Sequence, residues 1–212
     1  MKTIRMIIAG AALMGVTACA NTDTATRNAP APSQLNALQA EQVVPKNYKV
    51  VDYSVRVPAE LSVSEANVFY PVADIVWRGD AAGDRHMQVA RLFQTSLERS
   101  MPWVQGQVPV KANIELRRFH SLTERARYSV GGVHNMIFDM EIVNAETGQV
   151  IEPMHRMQID LPALGGAAAV AADARGNTQK KRVTEHLTQV FAKEFGATPI
   201  RKQSEAVELK RQ

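Results

Sequence analysis

The sequence predicts an α+β domain, a two-layer fold with a mainly antiparallel sheet and two helices packed on one face. Three observations carry this prediction. Apolar residues alternate with polar ones in several stretches, and they recur every three or four residues in two others. Along the chain these segments run strand, helix, strand, strand, strand, helix.

The first strand is "KVVDYSVRV", in which Val51, Tyr53, Val55 and Val57 alternate with Asp52, Ser54 and Arg56 until Pro58 interrupts. "ELSV" and "ADIVW" are shorter apolar pieces before the turn "RGDAAGD". From Asp84 the period changes. Met87, Ala90, Phe93, Leu97 and Met101 form a helical stripe of about sixteen residues, with Asp84 suited to cap it and Pro102 to stop it. "VPVKANIELRRFH" then places Val108, Val110, Ala112, Ile114 and Leu116 on one face, opposite Lys111, Asn113, Glu115 and Arg117. "HNMIFDMEIV" does the same with Met136, Phe138, Met140 and Ile142.

After the turn "NAETGQ", "VIEPMHRMQIDL" carries Ile151, Met157, Ile159 and Leu161 in phase. Facing Val143 with Val150 puts Ile142 opposite Ile151, Phe138 opposite His155 and Met136 opposite Met157, so the apolar parities agree. The run "PALGGAAAVAADARGN" has small residues and no clear phase. It leads to a last helix, "TQKKRVTEHLTQVFAKEFG", with Val183, Leu187, Val190 or Phe191, and Phe195 as its stripe. Asn177 or Thr178 can cap that helix and Gly196 can close it.

The N-terminus has a different logic. "MKTIR" supplies two cations, and the eleven residues "MIIAGAALMGV" follow without a charge. As a helix they would rise only about 16 Å, roughly half a bilayer's hydrocarbon core. The segment ends Val16-Thr17-Ala18-Cys19, with the only cysteine of the chain. This motif resembles the lipobox of a bacterial lipoprotein, with Val16 in place of the commoner Leu. The resemblance implies cleavage before Cys19 and attachment of acyl chains to it. Residues 1–18 are then a signal peptide, and 19–48 a lipidated cysteine and flexible tether reaching about 30 Å. Residues 49–196 are a periplasmic α+β domain, and 197–212 a charged tail.

Several chain-wide features narrow the function. Losing Lys2 and Arg5 with the signal peptide lowers the formal charge from +4 to +2, so the basic balance does not point to nucleic acid. No G-x-S-x-G, Walker or G-x-G-x-x-G motif occurs. Asp139 and Glu141 share the polar face of a strand, where a glycosidase pair would need a cleft. His120, His134 and His155 fall on one parity of consecutive strands. With His120 facing His134 and His155 facing Phe138, four strand residues, about 13 Å, separate His134 from His155. No shared metal, no cofactor and no catalytic residue is therefore assigned.

The connection "RRFHSLTERARYSVGGVH" gathers arginines and a tyrosine, side chains enriched where proteins meet partners. Arg118, His120, Arg125, Arg127, Tyr128 and His134 are the candidate partner-binding residues. "KKR" at Lys180 to Arg182 hints at an anionic contact near the start of the last helix.

The element order behind a lipobox and tether looks like small periplasmic domains of Gram-negative outer-membrane lipoproteins. Transport-auxiliary lipoproteins and lipoprotein activators of peptidoglycan synthases are two such groups. The resemblance implies an envelope protein held in the membrane through Cys19 and facing the periplasm at the outer membrane; with no catalytic motif in the chain, the expected role is a non-enzymatic module that binds another envelope protein. The alternative from another class is a periplasmic enzyme acting on cell-wall or carbohydrate material, and lipid carriage would require an apolar groove under residues 163 to 176.

Overall fold

The computed structural model describes residues 46–197. The expected signal peptide, Cys19, the expected tether as far as residue 45 and the expected charged tail beyond Ala197 lie outside them. Strands β1 (Tyr48–Arg56), β2 (Ile75–Val76), β3 (Val108–His120), β4 (Gly132–Asn144) and β5 (Val150–Ala163) form one sheet in the order β1-β3-β4-β5. The short β2 extends the β1 edge by pairing with the far end of β3. Helices α1 (Arg85–Ser100) and α4 (Gln179–Glu194) cover one face, giving the two-layer α+β domain the periodicities predict. Among the described residues no helix is long and apolar enough to cross a membrane.

The sheet is mixed. β3, β4 and β5 run antiparallel, but β1 lies parallel to β3 because α1 carries the chain back across the helix layer between them. A bulge between Val50 and Asp52 turns Val50 to the core and leaves Val51 exposed, opposite to the simple alternation expected from the sequence. The β4–β5 hairpin keeps Val143 opposite Val150, but irregularities on both sides of Ile142 slide the register by two residues. Phe138 therefore faces Met157, Met136 faces Ile159 and His155 faces Met140. A two-residue slide preserves the side-chain face, so the apolar parity survives while the predicted partners change.

Both long helices begin as their capping residues dictate. Asp84 accepts from the Met87 amide at 3.0 Å, and Thr178 accepts from the Lys181 amide at 3.3 Å. The buried stripe of α1 is Val89, Leu92, Phe93 and Leu97, whereas Met87, expected inside, is half exposed. In α4 it is Phe191, not Val190, that joins Val183, Leu187 and Phe195 inside. Phe93 ties the layers together, with ring centroids 5.3 Å from Phe138 and 6.0 Å from Phe191, both edge-on. The small-residue run contains a third helix, α3 (Gly166–Ala174), burying Ala169 and Ala172, where the sequence shows no phase.

The opposite face of the sheet is polar. Arg56, Glu115, Arg117, Asp139 and Arg156 form a cross-strand series of ion pairs, with Asp139 bound by Arg117 at 2.7 Å and Arg156 at 2.8 Å. Hydrogen bonding from Arg156 and then Arg117 lowers the Asp139 carboxyl below its ordinary range. Glu141 accepts from Asn113. These two carboxylates are thus structural partners of a sheet face.

Candidate functional site

The six candidate partner-binding residues do not form one surface. They divide into a group under and beside the 68–72 segment, where Arg125 is exposed, Arg118 half-buried and His120 buried, and a buried group around Arg127 and His134. Arg125 and Arg127 are parted by the helical turn α2 (Glu124–Arg127), which Thr123 caps by accepting from the Ala126 amide. One turn of helix sends Arg125 and Arg127 in different directions.

The first group meets this segment, "VFYPV" at residues 68–72, which strand and helix periodicity does not single out. The Thr123 hydroxyl donates to the Val68 carbonyl at 2.8 Å, and the Arg125 amide donates to Asn67 Oδ1 at 2.8 Å. The Arg125 guanidinium sits 4.7 Å from the Phe69 ring centroid, a cation–π contact. His120 Nε2 bonds the Pro71 carbonyl at 3.0 Å, and its ring stacks against Tyr70. The segment is therefore fixed from beneath while its apolar side chains face outward. Tyr70 is 85% exposed and Val72 fully so, with Val68 and Phe69 also exposed. Beside them, Arg118 and His120 line a shallow depression of about 370 Å³ with Tyr70, Val72 and Asp74.

The chain just before the segment is anchored to α1 through Glu65. Arg85 is buried and donates to Glu65 at 2.7 Å and to Gln88 at 2.7 Å, while Arg78 holds the same Glu65. Arg85 lowers the Glu65 carboxyl below its ordinary value. The sequence signal that could have found this surface is its composition, four large apolar side chains around a proline with no alternation to bury them.

The second group is structural in its contacts. Arg127 is buried, pairs with Asp173 of α3 at 2.7 Å and reaches Gln179 of α4. His134 is completely buried, and its Nδ1 lies 2.8 Å from Ser121 Oγ, which accepts from Gln179 Nε2 at 2.9 Å. Its neighbours are Ser121 and, across the sheet, Leu161; His120 faces Asn135 instead of His134. Tyr128 is half exposed, with its hydroxyl 3.4 Å from Asp173. The glycines that follow make a close crossing. A side chain on Gly165 would sit 2.2 Å from the Gly131 backbone nitrogen, so these two segments touch through their main chains.

A family model described as "Family of unknown function (DUF6778)" matches residues 48–211. The chain belongs to this family. The DUF6778 match takes in every described strand and helix. No curated protein gives a significant match. Among solved structures, the chain is similar to protein XCC0632 of Xanthomonas campestris, family model DUF330, at 13% identity and a TM-score of 0.43, over 76% of this chain and 90% of that one. It is also similar to a "putative lipoprotein" of Caulobacter crescentus CB15 at 16% identity and a TM-score of 0.32, over 55% of this chain and 85% of that one.

One cluster of the DUF6778 domain has the side chains of a metal centre. Glu152, His155 and Glu194 bring three ligand atoms within 4.8 Å of one another. Lys46 already occupies it, with Nζ 3.1 Å from Glu152 and in contact with Glu194, and Tyr48 donates to Glu152 at 2.7 Å. Burial pulls the Lys46 ammonium down, but its bonds to Glu194 and Glu152 outweigh that and raise it. A cation is thus built into the cluster as a side chain, and it joins the chain entering β1 to β5 and the end of α4.

Proposed function

We propose that this chain is a lipid-anchored lipoprotein of a Gram-negative envelope, held at the outer membrane and facing the periplasm. Its DUF6778 domain binds another envelope protein and is not itself an enzyme. The observation that carries this reading is the exposed Phe69–Tyr70–Val72 surface flanked by Arg118 and Arg125. An apolar group held outward by fixed contacts marks a binding surface when polar residues rim it, and Tyr and Arg are the side chains most often found at the energetic centres of interfaces. Because His120, Thr123 and Arg125 already order the segment, little conformational entropy is left to lose on binding.

The anchoring half of the proposal rests on the Val16-Thr17-Ala18-Cys19 motif. The choice of a binding module over a cell-wall enzyme rests on the shape of the surface. The depressions around Arg91 and Lys181, around Arg118 and His120, and around Arg127 and Gln179 are open, and the Glu152–His155–Glu194 cluster is filled by Lys46.

A photo-crosslinking amino acid at Tyr70 in the membrane-attached protein should give one discrete protein adduct, while the same probe at Gln158 on the polar sheet face should give none. Arg118→Ala with Phe69→Ala should remove an adduct formed from Val72. Adducts at Gln158 and none at Tyr70 would place the binding surface elsewhere.

A further inference from the structure

A second site lies on the helix layer and shares no residue with the Phe69–Val72 surface. Arg91, Thr95 and Arg99 follow one another at intervals of four along α1, on one stripe of its outer side. Across from them, Lys180, Lys181 and Thr184 rise from the first turns of α4. Together they line an open groove of about 410 Å³, within the size range of small-molecule sites. Leu92 and Thr184, both buried, form part of its floor.

The charge in this groove is not balanced. Four cations line it, Arg91, Arg99, Lys180 and Lys181, against Asp80 and Glu185. Asp80 is committed to Lys180 at 2.5 Å and to the Trp77 indole at 2.7 Å, and Glu185 lies a loose 3.9 Å from Lys181. Arg91 and Arg99 form no ion pair among the described residues. The lysines also stand at the beginning of a sixteen-residue helix, where the peptide dipoles disfavour positive charge and favour an anion. An anion in the groove would relieve both the repulsion among the cations and their conflict with the dipole.

We infer that the groove between α1 and α4 binds a phosphate-bearing ligand, with Arg91 and Arg99 as the guanidinium donors and Thr95 and Thr184 supplying hydroxyls. Planar guanidinium groups pair with phosphate oxygens through two parallel hydrogen bonds, which lysines alone do not provide. The same chemistry is found in an anionic phospholipid headgroup and in a soluble phosphomonoester. A chain tethered beside a membrane meets the former at high local concentration.

The test is calorimetric titration of the full chain, in a neutral detergent, with dihexanoylphosphatidylglycerol, sn-glycerol 1-phosphate and, as reference, dihexanoylphosphatidylcholine. Saturable binding of the phosphatidylglycerol above the phosphatidylcholine reference, without binding of glycerol phosphate, assigns the lipid headgroup. Saturable binding of glycerol phosphate assigns a soluble phosphate ligand. In either case Arg91→Ala with Arg99→Ala should weaken binding about tenfold or more, and Arg156→Ala on the far sheet face should leave it unchanged. Both double-variant side chains are exposed, so thermal unfolding should match the parent. No saturable binding of either anionic probe, or equal weakening by Arg156→Ala, overturns the site.

Discussion

At the scale of single residues, position on one helical turn outweighs chemistry. Arg125 and Arg127 are two residues apart and chemically identical, yet one lies exposed over Phe69 and the other is buried against Asp173 and Gln179. His134 shows the energetic side of burial. Removal from water, and then the charges of Arg182, Arg127 and His186, lower its pKa to about 3. The unfolded chain, with a histidine near 6.5, binds a proton that the folded domain refuses. The stabilisation is therefore complete above about pH 6.5 and is lost progressively as pH falls toward 3. Folding stability should drop by roughly 2 kcal/mol between pH 7 and pH 5 from this group alone, at 1.36 kcal/mol per pKa unit. Urea unfolding across that range checks it, and His134→Asn should flatten the dependence. Parallel pH curves for parent and variant would remove His134 from the account.

At the scale of elements, the same kind of side chain has opposite consequences in β4 and in the 68–72 segment. Phe138 is fully buried between α1 and α4, in contact range of Phe93 and Phe191. Phe138→Ala should cost on the order of 3 to 5 kcal/mol, because the cavity lies where two layers meet and neither can close over it. Tyr70→Ala should change stability by about 0.5 kcal/mol or less, since that ring is mostly in water. Denaturant midpoints for the two variants, measured side by side, distinguish packing from presentation. The β4–β5 hairpin marks how far strand patterns reach. Alternation determines which face each residue takes, but it repeats every two residues and so cannot tell one register from another two residues away. The irregularities around Ile142 made that choice.

At the scale of the whole molecule, the domain and its attachment obey separate rules. The expected tether enters the described structure at Lys46, whose ammonium joins Glu152 of β5 to Glu194 of α4. Under the proposed anchoring, Cys19→Ala should abolish incorporation of labelled palmitate and shift the protein from the membrane to the soluble fraction. One acyl chain gives only marginal attachment and two or three give a stable one, so partial loss is not expected. Unchanged labelling in the variant would refute the lipobox assignment. The domain itself should fold equally well, because the sheet and both long helices lie entirely within residues 48–194.

The sequence by itself determined the succession of the long strands and the two long helices, the cap of α1 and the apolar faces of β3 and β4, and it narrowed the cap of α4 to Asn177 or Thr178. Each depends on near neighbours in the chain, on hydrogen bonds within one turn or on a period of two or 3.6 residues. Tertiary structure alone decided that β1 lies parallel to β3, that Gly166–Ala174 becomes a helix, and that Arg118, His120 and Arg125 meet Phe69 to Val72. These outcomes join residues about fifty positions apart, and their energies come from burial and ion pairing that exist only once the sheet has closed against its helices. The candidate surface was therefore half legible. Its basic side was visible as an unusual loop composition, while its apolar side became a surface only when β2 and α2 brought the two together.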